Sequence, residues 1–197
     1  MGTNQYEGIT RQQAKMARTT LFLSVLFIVV AVFKSKDETL DTILETTSYA
    51  LSLVAMYFLI NYFKEHKEEV IAKYINFYIS VSIGIIIFTI IDLLTSKDLF
   101  ENMLYLIIFL LLGLTMIVAL IILCIKFITL KEDHLRILKI YGIVSLIVLP
   151  LIIILSIIEE LMLIKIPSFI YIIDILPILT MTAFYGNIEN AYKNQTS

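Results

Sequence analysis

Long stretches without a charged residue recur along this chain, and they constrain its fold more than any other feature. Six such stretches are rich in leucine and isoleucine; the shortest holds 15 residues, and the last is interrupted by a single aspartate. A helix that crosses a bilayer needs roughly 17–25 apolar residues, whereas the strands of a membrane barrel alternate over about ten. The sequence therefore predicts an all-α polytopic integral membrane protein, a bundle of six transmembrane helices joined by short loops.

The predicted spans divide the chain into three parts. Residues 1–18 form a cytoplasmic N-terminal helix extension, residues 19–188 the membrane domain, and residues 189–197 a cytoplasmic tail. The first span is the shortest, and Arg18 and Lys34 extend it because long basic side chains reach the lipid headgroups from within the bilayer. The six spans cover residues 19–33, 46–63, 74–91, 102–125, 140–158 and 166–185.

Basic residues are distributed unevenly between the two predicted sides of the membrane. With the N-terminus inside, eleven of the 15 lysines and arginines fall on the cytoplasmic side. They lie on short loops, where this bias is most reliable, and an even number of spans then places both termini in the cytoplasm. Composition also favours a bilayer as solvent, since 16% of the residues are charged, against about 25% in soluble domains. We expect a multi-pass protein of the cell membrane.

A single carboxylate lies inside a predicted span. Asp174 is followed three residues later by Pro177, which has no N–H and therefore leaves the carbonyl of Ile173 without its helical partner. Desolvation without a neighbouring cation favours the neutral carboxyl, so we expect Asp174 to be protonated and to face the bundle interior or a wet cavity. A hydroxyl from Thr115 or Ser82 would bond it across the bundle.

The fifth span carries a matching proline, Pro150, near its centre. Two broken helices at similar depth are a pointer to transport sites, and they also serve as packing devices in membrane helices. The intramembrane polar site of Asp174, Pro177, Thr115, Ser82 and Pro150 therefore has two interpretations, a structural hydrogen bond or a proton or solute site.

The predicted outer face is acidic. An acidic rim attracts cations or a cationic peptide by long-range electrostatic steering. The residues of this rim are Asp37, Glu38, Asp41, Glu159 and Glu160.

The two histidines lie on separate predicted cytoplasmic loops. His66 and His134 each have acidic neighbours in sequence, so they form either an inward-facing metal or proton site or merely solvated charge. Neither has the spacing of a zinc motif, and no histidine or lysine lies inside a span to activate a nucleophile. We predict no catalytic residues, no metal, no cofactor and no nucleic-acid partner. On the same side, Thr10 and Gln13 fit a capping box that starts the first helix.

Two functional hypotheses remain open. Short loops, a basic inner face and no catalytic set resemble small bacterial immunity proteins and secretion-locus accessory proteins, and imply a non-enzymatic protein that acts on another membrane protein or against a secreted toxin. The alternative is a small proton-coupled transporter that uses Asp174, or the substrate-binding subunit of an importer. Six spans in about 200 residues resemble the vitamin-binding subunits of energy-coupling-factor importers. Those subunits carry alanines four apart on the first helix, whereas Ala14 and Ala17 are three apart.

Overall fold

The computed structural model describes Tyr6 and residues 8–34, 38–95, 103–162 and 168–196, which form helices joined by turns and short irregular segments. Short 3-10 helices cover Asp133–Leu135 and Ser168–Asp174. The all-α prediction is confirmed for this part of the chain, which contains no strand. The six α-helices are α1 (Arg11–Lys34), α2 (Glu38–Glu65), α3 (Glu69–Leu94), α4 (Met103–Ile128), α5 (Arg136–Met162) and α6 (Ile175–Thr196).

Five of the helices, α1 to α5, are long and apolar enough to cross a membrane. Four of them contain a whole predicted span, and α4 contains the fourth span except residue 102, which lies outside the described residues. The sixth predicted span, residues 166–185, corresponds to two elements instead of one, because a 3-10 helix precedes α6. Helix α6 also continues through the predicted tail to Thr196.

The start of α6 corrects the expectation that Pro177 kinks a continuous helix. Helix α6 begins at Ile175, so Pro177 is its third residue. The first turn of a helix has no intrahelical partner for its N–H groups, and a proline there costs no hydrogen bond. Pro150 lies inside α5, which continues on both sides of it, so the predicted break in the fifth span is not seen as an interruption of the helix.

The six helices close into a ring. Each helix packs against its neighbours in sequence, and α6 packs against α1. Successive helices run in opposite directions, and we call the end at which α1 begins the proximal end and the opposite end the distal end. Hydroxyl groups join neighbouring helices: Ser24 of α1 and Ser48 of α2 approach to 2.7 Å between their Oγ atoms. The hydroxyl of Tyr105 of α4 donates to the carbonyl of Phe88 of α3 at 2.7 Å.

The buried core fills the proximal half of the ring. Its largest fully buried side chains are aromatic and come from α2, α4 and α6: Tyr62, Phe63, Phe127, Phe184 and Tyr185. The distal half of α4 instead exposes leucines around the helix, for example Leu110 and Leu114, each 60% exposed. Apolar surface of this kind is unfavourable in water and favourable in lipid.

The N-terminal residues cover the proximal end of the ring. Thr10 and Gln13 form the expected capping box, with reciprocal bonds of 2.8 and 3.2 Å between side chains and backbone N–H groups. Before it, Tyr6 and Ile9 are buried, and Gly8 adopts a positive φ of 94°. A Cβ at Gly8 would lie 2.8 Å from the Cα of Tyr62, so a glycine is required where the chain crosses α2.

Candidate functional site

Asp174 lies at the distal end of the ring, and its side chain is accessible to solvent. It is the last residue of the 3-10 helix and immediately precedes α6, the sequence position of an N-cap, where aspartate is favoured because its side chain can accept hydrogen bonds from backbone N–H groups. Its electrostatic neighbour is another carboxylate, Glu45 of α2. The start of a helix thus offers a structural reason for a carboxylate at position 174, which a position in the middle of a helix would not.

The hydroxyls expected to bond Asp174 lie elsewhere. Thr115 is exposed on α4 and donates to the carbonyl of Leu111 at 2.7 Å. Ser82 is buried, and its Oγ lies 2.8 Å from the hydroxyl of Tyr49. The predicted grouping of Asp174 with Thr115 or Ser82 is therefore absent from the described residues.

Ser82 belongs instead to a buried hydroxyl cluster that joins three helices. The hydroxyl of Tyr49 of α2 lies 3.2 Å from that of Tyr78 of α3, and it donates to the sulfur of Met116 of α4 at 2.8 Å. These contacts satisfy the polar groups within the apolar helices. They make the cluster a structural link between α2, α3 and α4.

The acidic rim is only partly described. Asp37 and the side chains of Glu38 and Glu160 lie outside the described residues. Asp41 is half-buried, and its Oδ1 has no hydrogen-bond partner among the described residues. Glu159 is half-buried near the distal end of α5.

The two histidine loops meet at the proximal end. Nε2 of His134 lies 2.7 Å from the hydroxyl of Tyr62 and 3.2 Å from a carboxylate oxygen of Glu132. Nδ1 of His66 lies 2.9 Å from the carbonyl oxygen of Tyr62, and the two imidazole centroids are 6.5 Å apart. Sequence reasoning identified both histidines and missed Tyr62, although its position four residues before His66 was a usable signal for a contact on one helix face.

Aromatic rings surround these histidines. The ring of Tyr62 stacks on His66 with centroids 4.2 Å apart. Tyr6, from the N-terminal segment, packs edge-on against His134 at 5.5 Å and against Phe184 at 6.2 Å. The N-terminal residues, α2, the 3-10 helix before α5, and α6 therefore share one cluster.

The surroundings of His134 accommodate both of its protonation states. A neutral imidazole accepts a hydrogen bond from the hydroxyl of Tyr62, whereas an imidazolium donates to Glu132. With these two partners, His134 can bind or release a proton. Among the described residues, no group of three histidine, cysteine or acidic side chains could hold a metal ion.

A cavity of about 520 Å³ opens beside this cluster. One wall is apolar and includes Phe63 and Val70. The charged side chains around it are two lysines and two glutamates, together with a histidine: Lys126, Lys131, Glu68, Glu132 and His66. The cavity can thus accept a ligand with both positive and negative groups.

An ion-pair network holds α1 and α6 together at the proximal end. A carboxylate oxygen of Glu189 lies 3.1 Å from Arg18, and the other lies 3.1 Å from Lys193. Hydrogen bonds from Lys193 and Arg18 lower the pKa of Glu189 below its usual value. Near these residues, the hydroxyl of Tyr192 donates to the carbonyl of Ile9 at 2.7 Å.

Comparisons with known protein families, with curated proteins and with solved structures find no match.

Proposed function

We propose that the chain is an integral protein of the cell membrane with six spans and both termini in the cytoplasm. Five helices have the length and composition of spans, and their outward faces are apolar. The 3-10 helix of residues 168–174 together with the first part of α6 supplies the sixth crossing. Most of the basic residues belong to segments at the proximal end, which supports a cytoplasmic position for that end.

Within the membrane, we propose a non-enzymatic binding role of the accessory or immunity type. The observation that carries this proposal is the closed proximal end. Tyr62, Phe127 and Phe184 are fully buried there, and Tyr6 and Ile9 of the N-terminal segment cover them. A solute that moved along the ring would have to displace this whole cluster, whereas a protein that binds a partner at its surface needs no such opening.

Several independent contacts support a stable closure. The hydroxyl of Tyr185 of α6 donates to the backbone carbonyl of Ala55 of α2 across the ring. Arg18 joins Glu189, and Tyr62 joins His134. Opening the proximal end would break bonds between four different segments at once. This cost favours the binding role over transport.

The transport alternative has one observation in its favour. Asp174 is exposed, and its electrostatic neighbour Glu45 lies on a different helix. Two carboxylates near the distal opening of a ring would form an entry point for cations. This alternative requires the proximal end to open during the transport cycle.

Reporter fusions test the proposed topology. A reporter at Lys97 is expected to read outside the cell, and a reporter after Lys193 is expected to read inside. Equal signals at the two positions would contradict a six-span arrangement with both termini in the cytoplasm.

A cross-link test separates the two roles. Arg18→Cys and Glu189→Cys place one thiol on α1 and one on α6, and a bifunctional thiol reagent then locks the proximal end; the native Cys124 is buried. Cells that express the chain are challenged with secreted cationic membrane-active peptides, and vesicles that contain it are tested for proton or solute flux. A binding protein keeps its protection after locking and shows no flux. A flux that disappears on locking would establish transport instead.

The acidic rim provides a second test of the binding role. Asp37→Asn, Glu38→Gln and Asp41→Asn together are expected to weaken protection against a cationic peptide, and added salt should have the same effect because it screens exposed charges. The control neutralises Glu65 and Glu69 at the proximal end. Unchanged survival of the rim variant would exclude the distal face as the binding surface.

A further inference from the structure

Two cavities lie along one groove between α3 and α4. The cavity beside the histidines is lined by Val70 of α3 and by Lys126 of α4. A second cavity, of about 300 Å³, is lined by Tyr74 and Phe77 of α3 and by Ile122 of α4, among other residues.

The spacing of these residues places both cavities on the same faces of the two helices. On α3, Val70, Tyr74 and Phe77 are separated by four and three residues, the intervals that align side chains on one helix face. On α4, Ile122 and Lys126 are separated by four. The charged cavity and the second cavity therefore follow one another along the same two helix faces.

The second cavity is apolar and lies deeper along the helices. Leu114 and Val118 line it and are 60% and 47% exposed. At 1.5 Å per residue, Leu114 lies about 18 Å along α4 from Lys126, comparable with the roughly 15 Å hydrocarbon depth of one leaflet. The groove therefore has a charged proximal end and an apolar continuation of about one acyl chain in length.

We propose that this groove binds one phospholipid whose headgroup carries a primary ammonium as well as its phosphate, of the phosphatidylethanolamine type. The proposal rests on the proposed membrane location, with the proximal end at the cytoplasmic leaflet. Lys126 and Lys131 bind the phosphate, and Glu68 and Glu132 accept hydrogen bonds from the ammonium. The acyl chain lies along Phe77 and the apolar residues of α4.

The balance of charges distinguishes this lipid from two others. A purely anionic headgroup would leave the two carboxylates of the cavity facing negative charge. A choline headgroup has no N–H to donate to them, whereas a primary ammonium has three. Two lysines and two glutamates therefore complement a headgroup with one phosphate and one primary ammonium.

The chain contains no tryptophan, so one introduced tryptophan reports on its lipid neighbours. Phe77→Trp places the probe in the groove, where Phe77 is 49% exposed. Ile143→Trp is the matched control, because Ile143 is 46% exposed and lies at a similar distance from the proximal end, on α5. Each variant is reconstituted in phosphatidylcholine vesicles with a minor fraction of brominated lipid, which quenches tryptophan on contact.

Brominated phosphatidylethanolamine is expected to quench the tryptophan at position 77 more than brominated phosphatidylglycerol or phosphatidylcholine does. The probe at position 143 should respond equally to all three lipids. Each of Lys126→Gln and Lys131→Gln should lower the binding constant at the groove about fivefold, the factor that corresponds to about 1 kcal/mol per basic residue. Glu68→Gln should reduce the preference for ethanolamine over choline, and Lys139→Gln, outside both cavities, should change nothing.

Other outcomes overturn the proposal in distinguishable ways. Equal quenching of the groove probe by the three lipids would mean contact with bulk lipid alone, and a preference for phosphatidylglycerol would mean an anionic lipid instead. A preference for ethanolamine that survives the lysine and Glu68 substitutions would place the headgroup elsewhere. If no brominated lipid quenches either probe, the membrane location fails, and the lipid site fails with it.

Discussion

Two glycines of the ring differ in what a methyl group at their position would meet, and this contrast gives a sharp test of the packing. Gly142 lies on α5 where that helix crosses α4. A Cβ there would be 2.7 Å from the carbonyl oxygen of Cys124 and 3.1 Å from a side-chain carbon of Ile128. Gly113 lies on α4, and a Cβ there would meet no atom within 4 Å.

The expected magnitude follows from these distances. The carbonyl of Cys124 belongs to the backbone and cannot rotate away, so Gly142→Ala must push α4 and α5 apart. Overpacking of this kind costs about 1–3 kcal/mol. Replacing glycine by alanine inside a helix also gains roughly 0.5–1 kcal/mol of helix propensity, and this gain is common to both positions. The difference between Gly142→Ala and Gly113→Ala therefore isolates the clash, about 1–3 kcal/mol.

Thermal unfolding of the purified protein in one detergent measures this difference. For a chain of this length, 1 kcal/mol corresponds to about 2–4 °C in Tm. Gly113→Ala should melt at or above the parent temperature, and Gly142→Ala should melt below it. Equal melting temperatures for the two variants would refute the close approach of α4 and α5 at Gly142.

Two further predictions concern charged residues. Glu189→Gln should cost about 1 kcal/mol in unfolding free energy, since Arg18 and Lys193 are half exposed and such ion pairs are worth little more. Because the folded state lowers the pKa of Glu189, this stability should be present above its ordinary pKa of 4.5 and be lost as pH falls through the lower folded value. A melting temperature of Glu189→Gln that falls with pH as steeply as that of the parent would contradict the assignment. Asp174→Asn should melt like the parent, because asparagine is an equally good N-cap, and Asp174→Leu should lose about 1 kcal/mol of unfolding free energy. Equal destabilisation by the two substitutions would rule out the capping role. An Asp174→Asn variant that melts normally but has no function would favour the proton-carrying alternative.

The apolar helices were the predictable part of the fold. Uncharged runs such as residues 46–63 and 74–91 lie within α2 and α3, because a long apolar run without proline or a glycine cluster can satisfy its backbone groups by forming a helix. These helices can be predicted from the local sequence alone, without knowledge of any tertiary contact. The capping box at Thr10 and Gln13 also depends only on local sequence and was predicted in the same way.

Of the proximal cluster, the two histidines could be identified from the sequence, but their contact could not, since they come from distant points in the chain. His66 and His134 are brought together by the packing of α2 against other helices and by a 3-10 helix before α5. Nothing in either loop indicates which other loop it meets. The contribution of Tyr6 is harder still to anticipate, because it depends on a positive φ at Gly8 that directs the N-terminal residues back across α2.

Asp174 shows why an uncharged run does not fix where a helix begins. Hydropathy treats residues 166–185 as one span with a charge in its centre, and on that view the aspartate requires a polar partner across the bundle. The backbone is also constrained by Pro177, which costs no hydrogen bond in the first turn of a helix and about 3 kcal/mol or more in its interior. A start at Ile175 satisfies the proline and leaves Asp174 at the position where a carboxylate stabilises the helix N-terminus. The same two residues that indicate a broken, functional helix in the sequence thus also satisfy the ordinary rules for starting one.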